Sequence, residues 1–521
     1  MASIITKIRI INFKRFEDYT IEPNEKTNIL VGDNEVGKSS LLEAIDIVAN
    51  GSIRRVESIG LDKLLNVEAV KKFNEGIRNF DNLPELRIEL YLKGDFDHTM
   101  KGKNNLEKIE CDGIRLVCKP NPDYRAEITD SLNVNSEYFP YDYYSIRFST
   151  FADETYSGYK KKIRCVLIDN SNMNSDYATN DFVRRMYRQY TDSNIKERTI
   201  HKSNYRLMRE QFCNDSLSTI NAKVPAQKKY AFGLKRGGSV ELENDLMIFE
   251  DEIGIDCKGT GKQIFIKTDF ALEHSGENID IILIEEPENH LSHVNLRKLI
   301  QRVAGTQNGQ LFITTHNSLI STRLELRNLL IMHVHGEKRP VMLKDLSNDT
   351  AKYFMKAPPA SIVEFALSRK AILVEGPSEY MLMERFYTLV TKKLPEDDDV
   401  HIIDVRGLSF KRYLDIAKQT LGKVAVVTDN DKNAQKHCIE KYSEYKANEN
   451  IQVFFEKDND KRTFEIVLYG DNKNLCDSLF GDNAQNFMLE NKTEAAFLIL
   501  SQDKSIVVPD YIERAIKWIS E

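Results

Sequence analysis

The chain has 521 residues, 41% of them hydrophobic and 29% charged, a balance that excludes a disordered or fibrous protein and allows about two to four globular domains. The net charge of -7 indicates no general attraction to nucleic acid, although acidic metal sites can mask a local basic surface. Seven cysteines without a Cys-x-x-Cys pair argue against a disulfide or zinc framework. No signal-peptide pattern and no membrane-spanning run is visible, which predicts a cytoplasmic protein.

The first part of the chain alternates strand and helix signals. ITKIRIINF and KTNILVG are typical of strands, KSSLLEAIDIVAN has the apolar spacing of a helix, and ELRIELYLKG alternates with period two. Residues 155–235 change character and become basic, rich in tyrosine and helical in period. They predict an insertion that divides one α/β domain into the parts 1–154 and 236–355.

A second series of strands and helices follows MKAPPAS, whose two prolines make it the best linker candidate. The strands are predicted at KAILVEG, VHIIDVRG, KVAVVTDND and IQVFFEK. Alternation of this kind predicts a parallel sheet with helices on both faces. A second domain is therefore predicted over residues 365–521.

The segment GDNEVGKS, Gly32 to Ser39, matches G-x-x-x-x-G-K-[ST] in full. Its glycines let successive backbone N–H groups surround phosphate oxygens, the lysine supplies a charge to the β- and γ-phosphates, and the serine hydroxyl is suited to magnesium. A strand enters the segment and a helix leaves it, as such a loop requires. The predicted nucleotide-binding residues here are Gly32, Asn34, Gly37, Lys38, Ser39 and Ser40.

Two later strands carry polar residues that suit the same chemistry. IILIEEPE ends in Glu285 and Glu286, where a nucleotide hydrolase needs one carboxylate near the metal and one to orient water. LFITT is followed by His316, which is suited to sensing a γ-phosphate. Taken alone, the two glutamates could also end a strand in a solvated acidic turn, and a lone histidine is more often structural.

Together these motifs resemble the ABC-type ATPase heads of the SMC and RecF-like group. In that group, a signature motif from a second head completes the nucleotide site, and KGTGKQ, Lys258 to Gln263, stands where that motif is expected. It departs from the usual Leu-Ser-Gly-Gly. Glu285 also stands where the group usually has Asp, which bears on the rate of hydrolysis rather than on ATP binding.

The second domain carries its own carboxylates. Glu375 ends the strand of KAILVEG, Glu379 follows, and Asp429 and Asp431 come directly after the apolar run of KVAVVTDND. This arrangement resembles a Toprim domain. Because parallel strands end at one edge of a sheet, the carboxylates are expected to converge on Mg²⁺ or Mn²⁺. An isolated Asp-Asn-Asp is otherwise typical of a helix-capping turn.

An ABC head followed by a Toprim domain resembles the OLD (overcoming lysogenization defect) family of endonucleases, which includes the nuclease subunit of the Gabija system. The resemblance implies that Glu465 in RTFEIVLYG helps to bind a second metal ion and that Lys492 in NKTEAAFL stabilises charge at the scissile phosphate. It implies that the insertion mediates dimerisation. Two ions would hold the phosphodiester for an in-line displacement.

The leading hypothesis is an ATP-binding, metal-dependent DNA endonuclease of the OLD type that acts in anti-phage defence. The alternatives are an ATP-switched DNA-binding or assembly protein with a non-catalytic Toprim domain, and a topoisomerase or primase. The predicted partners are DNA and further copies of the chain in a dimer or tetramer. A helicase, or a retron reverse transcriptase with its DNA–RNA product, is also among the predicted partners.

Overall fold

A computed structural model describes most of the chain. The described residues are 3–134, 138–157, 162–168, 183–184, 186–188, 190–191, 195–224, 230–235, 242–273, 279–306, 309–332, 339–407, 409–502 and 505–521. Parts of the predicted insertion 155–235, among them 169–182 and 225–229, lie outside these ranges. No helix within them has the length and apolar content needed to cross a membrane.

The strands in chain order are β1 (Ile4–Phe13), β2 (Phe16–Ile21), β3 (Thr27–Gly32), β4 (Leu86–Lys93), β5 (Lys101–Gly102), β6 (Cys111–Pro120), β7 (Tyr144–Thr150), β8 (Cys165–Ile168), β9 (Phe249–Glu250), β10 (Ile253–Gly254), β11 (Ile281–Glu285), β12 (Gln310–Thr314), β13 (Leu329–Met332), β14 (Val341–Met342), β15 (Lys370–Val374), β16 (Val400–Asp404), β17 (Lys423–Val427) and β18 (Ile451–Phe454).

The α-helices that the structure describes are α1 (Lys38–Asn50), α2 (Ile53–Ile59), α3 (Leu61–Leu64), α4 (Val67–Glu75), α5 (Arg125–Val134), α6 (Ile195–Asp215), α7 (Ser218–Asn221), α8 (Leu242–Asp245), α9 (Thr260–Glu273), α10 (His293–Thr306), α11 (Ser318–Arg323), α12 (Asn348–Lys356), α13 (Ile362–Leu367), α14 (Pro377–Thr391), α15 (Phe410–Thr420), α16 (Phe464–Asp471), α17 (Lys473–Phe480), α18 (Ala484–Glu490), α19 (Lys492–Leu500) and α20 (Asp510–Ser520).

The chain divides into two compact units, residues 1–28 with 37–315 and residues 29–36 with 316–521. The first unit contains an antiparallel sheet in which β1 pairs with β2 and β4, and β6 pairs with β4, β5 and β7. Ile8 and Ile10 of β1 are fully buried in it. The period-two pattern of the sequence puts these side chains on one face of the sheet.

In the first unit β11 lies between β8 and β12, and in the second unit β13 lies between β3 and β14. Strand β11 pairs in parallel with β8 and with β12, and β13 pairs in parallel with β3. Strands β3, β11 and β12 are buried along their whole length, as expected for parallel strands covered on both faces.

The predicted parallel sheet of the second half is confirmed. Its order is β16-β15-β17-β18, and every pairing is parallel. Helix α14 packs its Leu382 and Phe386 into the core of this sheet, and the C-terminal helix α20 contributes Ile512 and Ile516, all of them fully buried. The carboxyl ends of the four strands therefore share one edge.

Candidate functional site

Two neighbouring strands bring the acidic residues of the second unit to this shared edge. Glu375 follows the last residue of β15, and Asp429 comes two residues after the end of β17. The register pairs Leu373 of β15 with Val426 of β17, so the two strands end at the same level of the sheet. Strand pairing therefore explains why carboxylates 54 positions apart in the sequence meet in space.

Glu379 lies in the first turn of α14, which begins directly after Gly376. Its side chain is buried at 8% exposure. Burial, followed by the charges of Glu465 and Glu375, raises the pKa of Glu379 to about 7. A carboxyl group in this state holds a proton near neutral pH unless a cation takes its place.

Glu465 reaches the same site from the first turn of α16. The backbone N–H of Phe464 donates to Asp429 Oδ1 at 2.8 Å, which attaches the start of this helix to the Asp-x-Asp segment. Glu465 is 3% exposed, and the Lys492 ammonium lies 3.0 Å from its Oε1. The structure thus brings together Asp429, Glu465 and Lys492, whose roles the family resemblance implied.

The electrostatics of the cluster are those of carboxylates held close together. Burial, followed by the charges of Glu375, Glu379 and Glu465, raises the pKa of Asp429 to about 8 against a decrease caused by Lys492. Burial and then the charge of Asp431 raise the pKa of Glu375. The protein therefore supplies too little positive charge to balance these carboxylates.

Two acidic oxygen atoms of the cluster fit a bound divalent cation. Glu375 Oε2 and Glu465 Oε2 are buried and have no hydrogen-bond partner, which is costly for an acceptor unless a cation or water satisfies it. The donors are all oxygen, the ligand type that Mg²⁺ and Mn²⁺ prefer. Over the described ranges, no group of three or more Asp, Glu, His or Cys side chains is arranged to hold a metal ion by itself. The residues fit divalent ions held in part by substrate or water.

Asp431 occupies a different position from Asp429. It is exposed, has a positive φ of 47°, and its N–H lies 3.3 Å from Arg462 O. Its charge contributes to the raised pKa of Glu375, so it belongs to the same electrostatic site. The positive φ turns the chain away from the sheet immediately after the acidic pair.

Sequence reasoning missed Asn430, the residue between the two aspartates. It is 1% exposed, and its Nδ2 donates to Glu456 O at 2.9 Å and Asp458 O at 2.8 Å, with Lys461 O at 3.3 Å. The side chain therefore holds the 456–461 loop against the Asp-x-Asp segment. Two features of the sequence could have indicated this role: the asparagine between two aspartates, and the Asp- and Asn-rich loop that follows later in the chain.

The predicted phosphate-binding loop joins β3 to α1, as its motif requires. Gly37 has a φ of +100°, and a Cβ on it would lie 2.7 Å from Phe16 Cζ. A Cβ on Gly32 would lie 2.5 Å from Met332 O. Both positions therefore exclude side chains. Of the other predicted residues, Lys38 is buried at the start of α1, Ser40 is half-buried, and Asn34 and Ser39 are exposed.

Glu285 is the last residue of β11 and is buried at 9% exposure. Glu286 has a positive φ of 39°, and its N–H lies 3.1 Å from both Thr314 O and Thr314 Oγ1. Asn289 Nδ2 donates to Glu286 Oε2 at 2.7 Å, which orients this carboxylate. His316, which follows β12 closely, is exposed. The predicted roles of Glu285, Glu286 and His316 stay predictions.

The KGTGKQ segment lies at the start of α9. Lys258 and Lys262 both pair with Glu250, and Gln263 Nε2 donates to Lys258 O at 2.8 Å. The segment is thus a defined helix start. Its role as a signature motif that contacts a second head stays a prediction.

Family models match three regions of the chain. An AAA ATPase domain matches residues 4–231, and an AAA domain described as a putative AbiEii toxin of a type IV toxin–antitoxin system matches residues 261–322. The Toprim domain of overcoming lysogenization defect protein-like sequences matches residues 367–431, which contain Glu375, Asp429 and Asp431. The chain matches an ATPase–Toprim protein of the OLD family. No curated protein matches the chain in sequence.

Solved structures similar to this OLD-like chain include SMC heads and a RecF protein. The SMC head bound to the C-terminal winged-helix domain of ScpA is 16% identical in sequence to this chain. The match covers 66% of this chain and 100% of the SMC head chain, with a TM-score of 0.32. The SMC head from Thermotoga maritima is 12% identical, over 65% of this chain and 97% of the SMC head chain, with a TM-score of 0.27. The ATP-bound recombination mediator RecF is 12% identical, over 60% of this chain and 94% of the RecF chain, with a TM-score of 0.33.

Proposed function

We propose that this OLD-like protein is a divalent-metal-dependent DNA endonuclease whose activity is regulated by ATP, and that it acts as an effector of anti-phage defence. The observation that carries this proposal is the meeting of Glu375, Asp429 and Glu465, with two unpartnered buried carboxylate oxygens, beside Lys492. An all-oxygen cluster next to one ammonium group suits a phosphodiester, whose own negative charge must be neutralised before hydroxide can approach.

The residues of the carboxylate cluster and Lys492 would have different roles in cleavage. Glu375, Asp429 and Glu465, with Glu379 and Asp431 around them, would hold two Mg²⁺ or Mn²⁺ ions. The bound ions would supply an activated water and neutralise the phosphate. Lys492 is about half exposed, so its ammonium can turn from Glu465 towards a phosphate oxygen while Glu465 stays buried. Asp429 would be kept in place by the Phe464 N–H throughout.

The ATPase region would act as the regulator. Lys38 and the loop backbone would bind the phosphates of ATP, and Ser39 and Glu285 would bind its magnesium ion. Glu286 would orient the attacking water. We propose that nucleotide binding at paired heads changes the access of DNA to the carboxylate cluster. The assembly would be a homo-dimer or tetramer, and a helicase or a retron reverse transcriptase stays a predicted partner.

Cleavage of supercoiled plasmid with Mg²⁺ or Mn²⁺, with and without ATP, tests the proposal. We expect nicking by the wild-type protein and none by Asp429→Ala, with ATP binding unchanged in the variant. Titration of ATP into the same assay gives the direction of control, and an unchanged rate would discard the coupling. Full cleavage by Asp429→Ala contradicts the site.

The second candidate function is that of an ATP-switched DNA-binding or assembly protein whose Toprim domain has no catalytic role. It predicts DNA binding without nicking under every metal condition. The same plasmid assay, combined with a binding measurement on the same DNA, separates the two.

A further inference from the structure

A cavity of about 560 Å³ lies in the second unit, beside the residues that follow β16. Three cations line it: Arg406 from the loop after the strand, and Lys411 and Arg412 from the start of α15. The rings of Tyr353 and Tyr445 form part of its walls. It is large enough for a phosphate group with the sugar that carries it.

The acidic residues of this cavity are already engaged. Asp415 accepts hydrogen bonds from Tyr445 Oη at 2.9 Å and from Thr350 Oγ1 at 2.7 Å. Glu444 forms an ion pair with Lys411 at 2.7 Å. The lining has three cations and two carboxylates, so it keeps a net charge of +1.

Arg406 is the most accessible of these cations. Its side chain is 83% exposed, and its Nε is 3.9 Å from Asp404 Oδ2, at the outer limit of an ion pair. A guanidinium in this state can form a bidentate contact with a phosphate and loses little by leaving so distant a partner.

Arg412 is held in one orientation. Its Nη1 donates to Thr350 Oγ1 at 2.8 Å, and Thr350 in turn donates to Asp415. Its guanidinium lies 5.6 Å from the centre of the Tyr353 ring. Over the described ranges, no carboxylate forms an ion pair with Arg412. A cation fixed in this way binds an anion at a low cost in side-chain entropy.

The aromatic rings of the cavity already face cations. Arg412 lies over Tyr353, and the Lys418 ammonium lies 4.3 Å from the centre of the Tyr445 ring. Tyr445 is also 2% exposed, which leaves its ring little surface for a nucleobase. The chemistry of the cavity therefore favours an anionic backbone over a base.

The backbone connects this cavity to the carboxylate cluster. The N–H of Gly407 donates to Glu375 O at 2.9 Å, and the N–H of Val405 donates to Val374 O at 3.0 Å. Arg406 lies between these two anchored residues, with a φ of 50°, and Gly407 follows with a φ of 100°. Arg406 therefore leaves the same edge of the sheet as Glu375.

We propose that this cavity binds a backbone phosphate of the DNA strand whose scissile phosphate lies at the carboxylate cluster, with Arg406 as the main ligand and Arg412 and Lys411 as further donors. The inference rests on the proposed function for its substrate. Because only a phosphate is contacted, the cavity would position the strand without reading its sequence.

The test is DNA binding as a function of salt, with a short fluorescein-labelled duplex and EDTA present so that nothing is cleaved. We expect Arg406→Gln to bind about tenfold more weakly than the wild type. The slope of log K against log[salt] should decrease by about one. Arg406→Lys, which keeps the charge, should retain the slope. Arg514→Gln is the matched control, because Arg514 is an exposed arginine that is paired with Asp510 on α20.

Equal affinity and slope in Arg406→Gln and Arg514→Gln would overturn the inference, as would a wild-type protein that binds no DNA. Plasmid cleavage, measured separately, tells the two proposals apart. The predicted change in slope without any nicking supports the cavity and rejects the nuclease. Nicking with an unchanged slope in Arg406→Gln rejects the cavity and keeps the nuclease.

Discussion

Asn430 shows how one uncharged side chain can organise an acidic site. Its amide nitrogen binds backbone carbonyls of the 456–461 loop, and its Oδ1 accepts from Lys432 N at 3.0 Å. A second link joins the same segments, because Ala434 N donates to Asn459 Oδ1 at 3.0 Å. The loop that precedes Glu465 is therefore held in register with Asp429. We regard Asn430 as a positioning residue for the cluster.

Asn430→Ala is expected to weaken Mn²⁺ binding about tenfold, as the loss of an outer support for metal ligands does. It should also lower the free energy of unfolding by about 2 kcal/mol, because buried carbonyls lose their donor. Titration calorimetry with Mn²⁺ and denaturant unfolding measure the two effects. The control is Asn433→Ala, an exposed asparagine whose Oδ1 only caps a local turn. Equal Mn²⁺ affinity in both variants would remove Asn430 from the site.

At the scale of elements, the predicted phosphate-binding loop depends on a backbone conformation that only glycine adopts without strain. Gly37 combines a φ of +100° with the close approach of the Phe16 ring. Its carbonyl accepts from Leu41 N at 2.9 Å, which begins α1. A side chain here would move both the loop and the start of the helix.

Gly37→Ala is therefore expected to weaken ATP binding at least about tenfold, since the added Cβ forces a shift of the loop. Binding of a fluorescent ATP analogue measures this. Gly305→Ala is the matched control, because a Cβ there meets nothing within 4 Å and the residue lies in helix α10. Wild-type affinity in Gly37→Ala would show that the loop does not bind the phosphates.

A second element-scale contact joins β16 to α13. His401 Nδ1 lies 3.1 Å from Glu364 Oε1. This hydrogen bond raises the pKa of His401, burial lowers it, and the charges of Glu364, Asp399 and Asp33 raise it further, with a net increase. Because the folded-state pKa lies above the unfolded one, the stabilisation is full below the unfolded pKa and is lost as pH rises through the folded pKa.

The melting temperature of the wild type should accordingly exceed that of His401→Asn most at pH 5.5, by roughly 1 to 2 °C, and the difference should vanish by about pH 8.5. Glu364→Gln, which removes the partner's charge, should show the same trend. Thermal unfolding across this pH range measures it. A difference between wild type and His401→Asn that grows with pH would contradict the assignment.

At the scale of the whole molecule, the proposed function gives the chain two separate ligand sites, and ligand binding to each should stabilise the folded state. ATP at constant Mg²⁺ should raise the melting temperature of the wild type and of Asp429→Asn but not of Lys38→Ala. Mn²⁺ without ATP should stabilise the wild type and Lys38→Ala more than Asp429→Asn. Differential scanning fluorimetry tests both. Loss of both responses in one variant would mean that the sites are not separable.

Much of the fold follows from local patterns. The phosphate-binding loop between β3 and α1, and the strands β15 to β18 of the parallel sheet, were predictable because their apolar runs and turn residues are local. The antiparallel sheet of the first unit was not predicted, since the pairing of β1 with β4 joins residues about 80 positions apart, as in Ile8 with Leu90. The predicted domain boundaries stay predictions.

By itself, the sequence determined which residue types are present and which strand each acidic pair follows, because these depend only on neighbours in the chain. Only the tertiary structure decided that Phe464 N reaches Asp429 over 35 residues, that Lys492 meets Glu465, and that Asn430 supports the loop between them. It also decided that Arg406, Arg412 and two tyrosines enclose one cavity. These contacts depend on the order and register of β15, β16 and β17 within the sheet, which the local alternation of strands and helices does not encode.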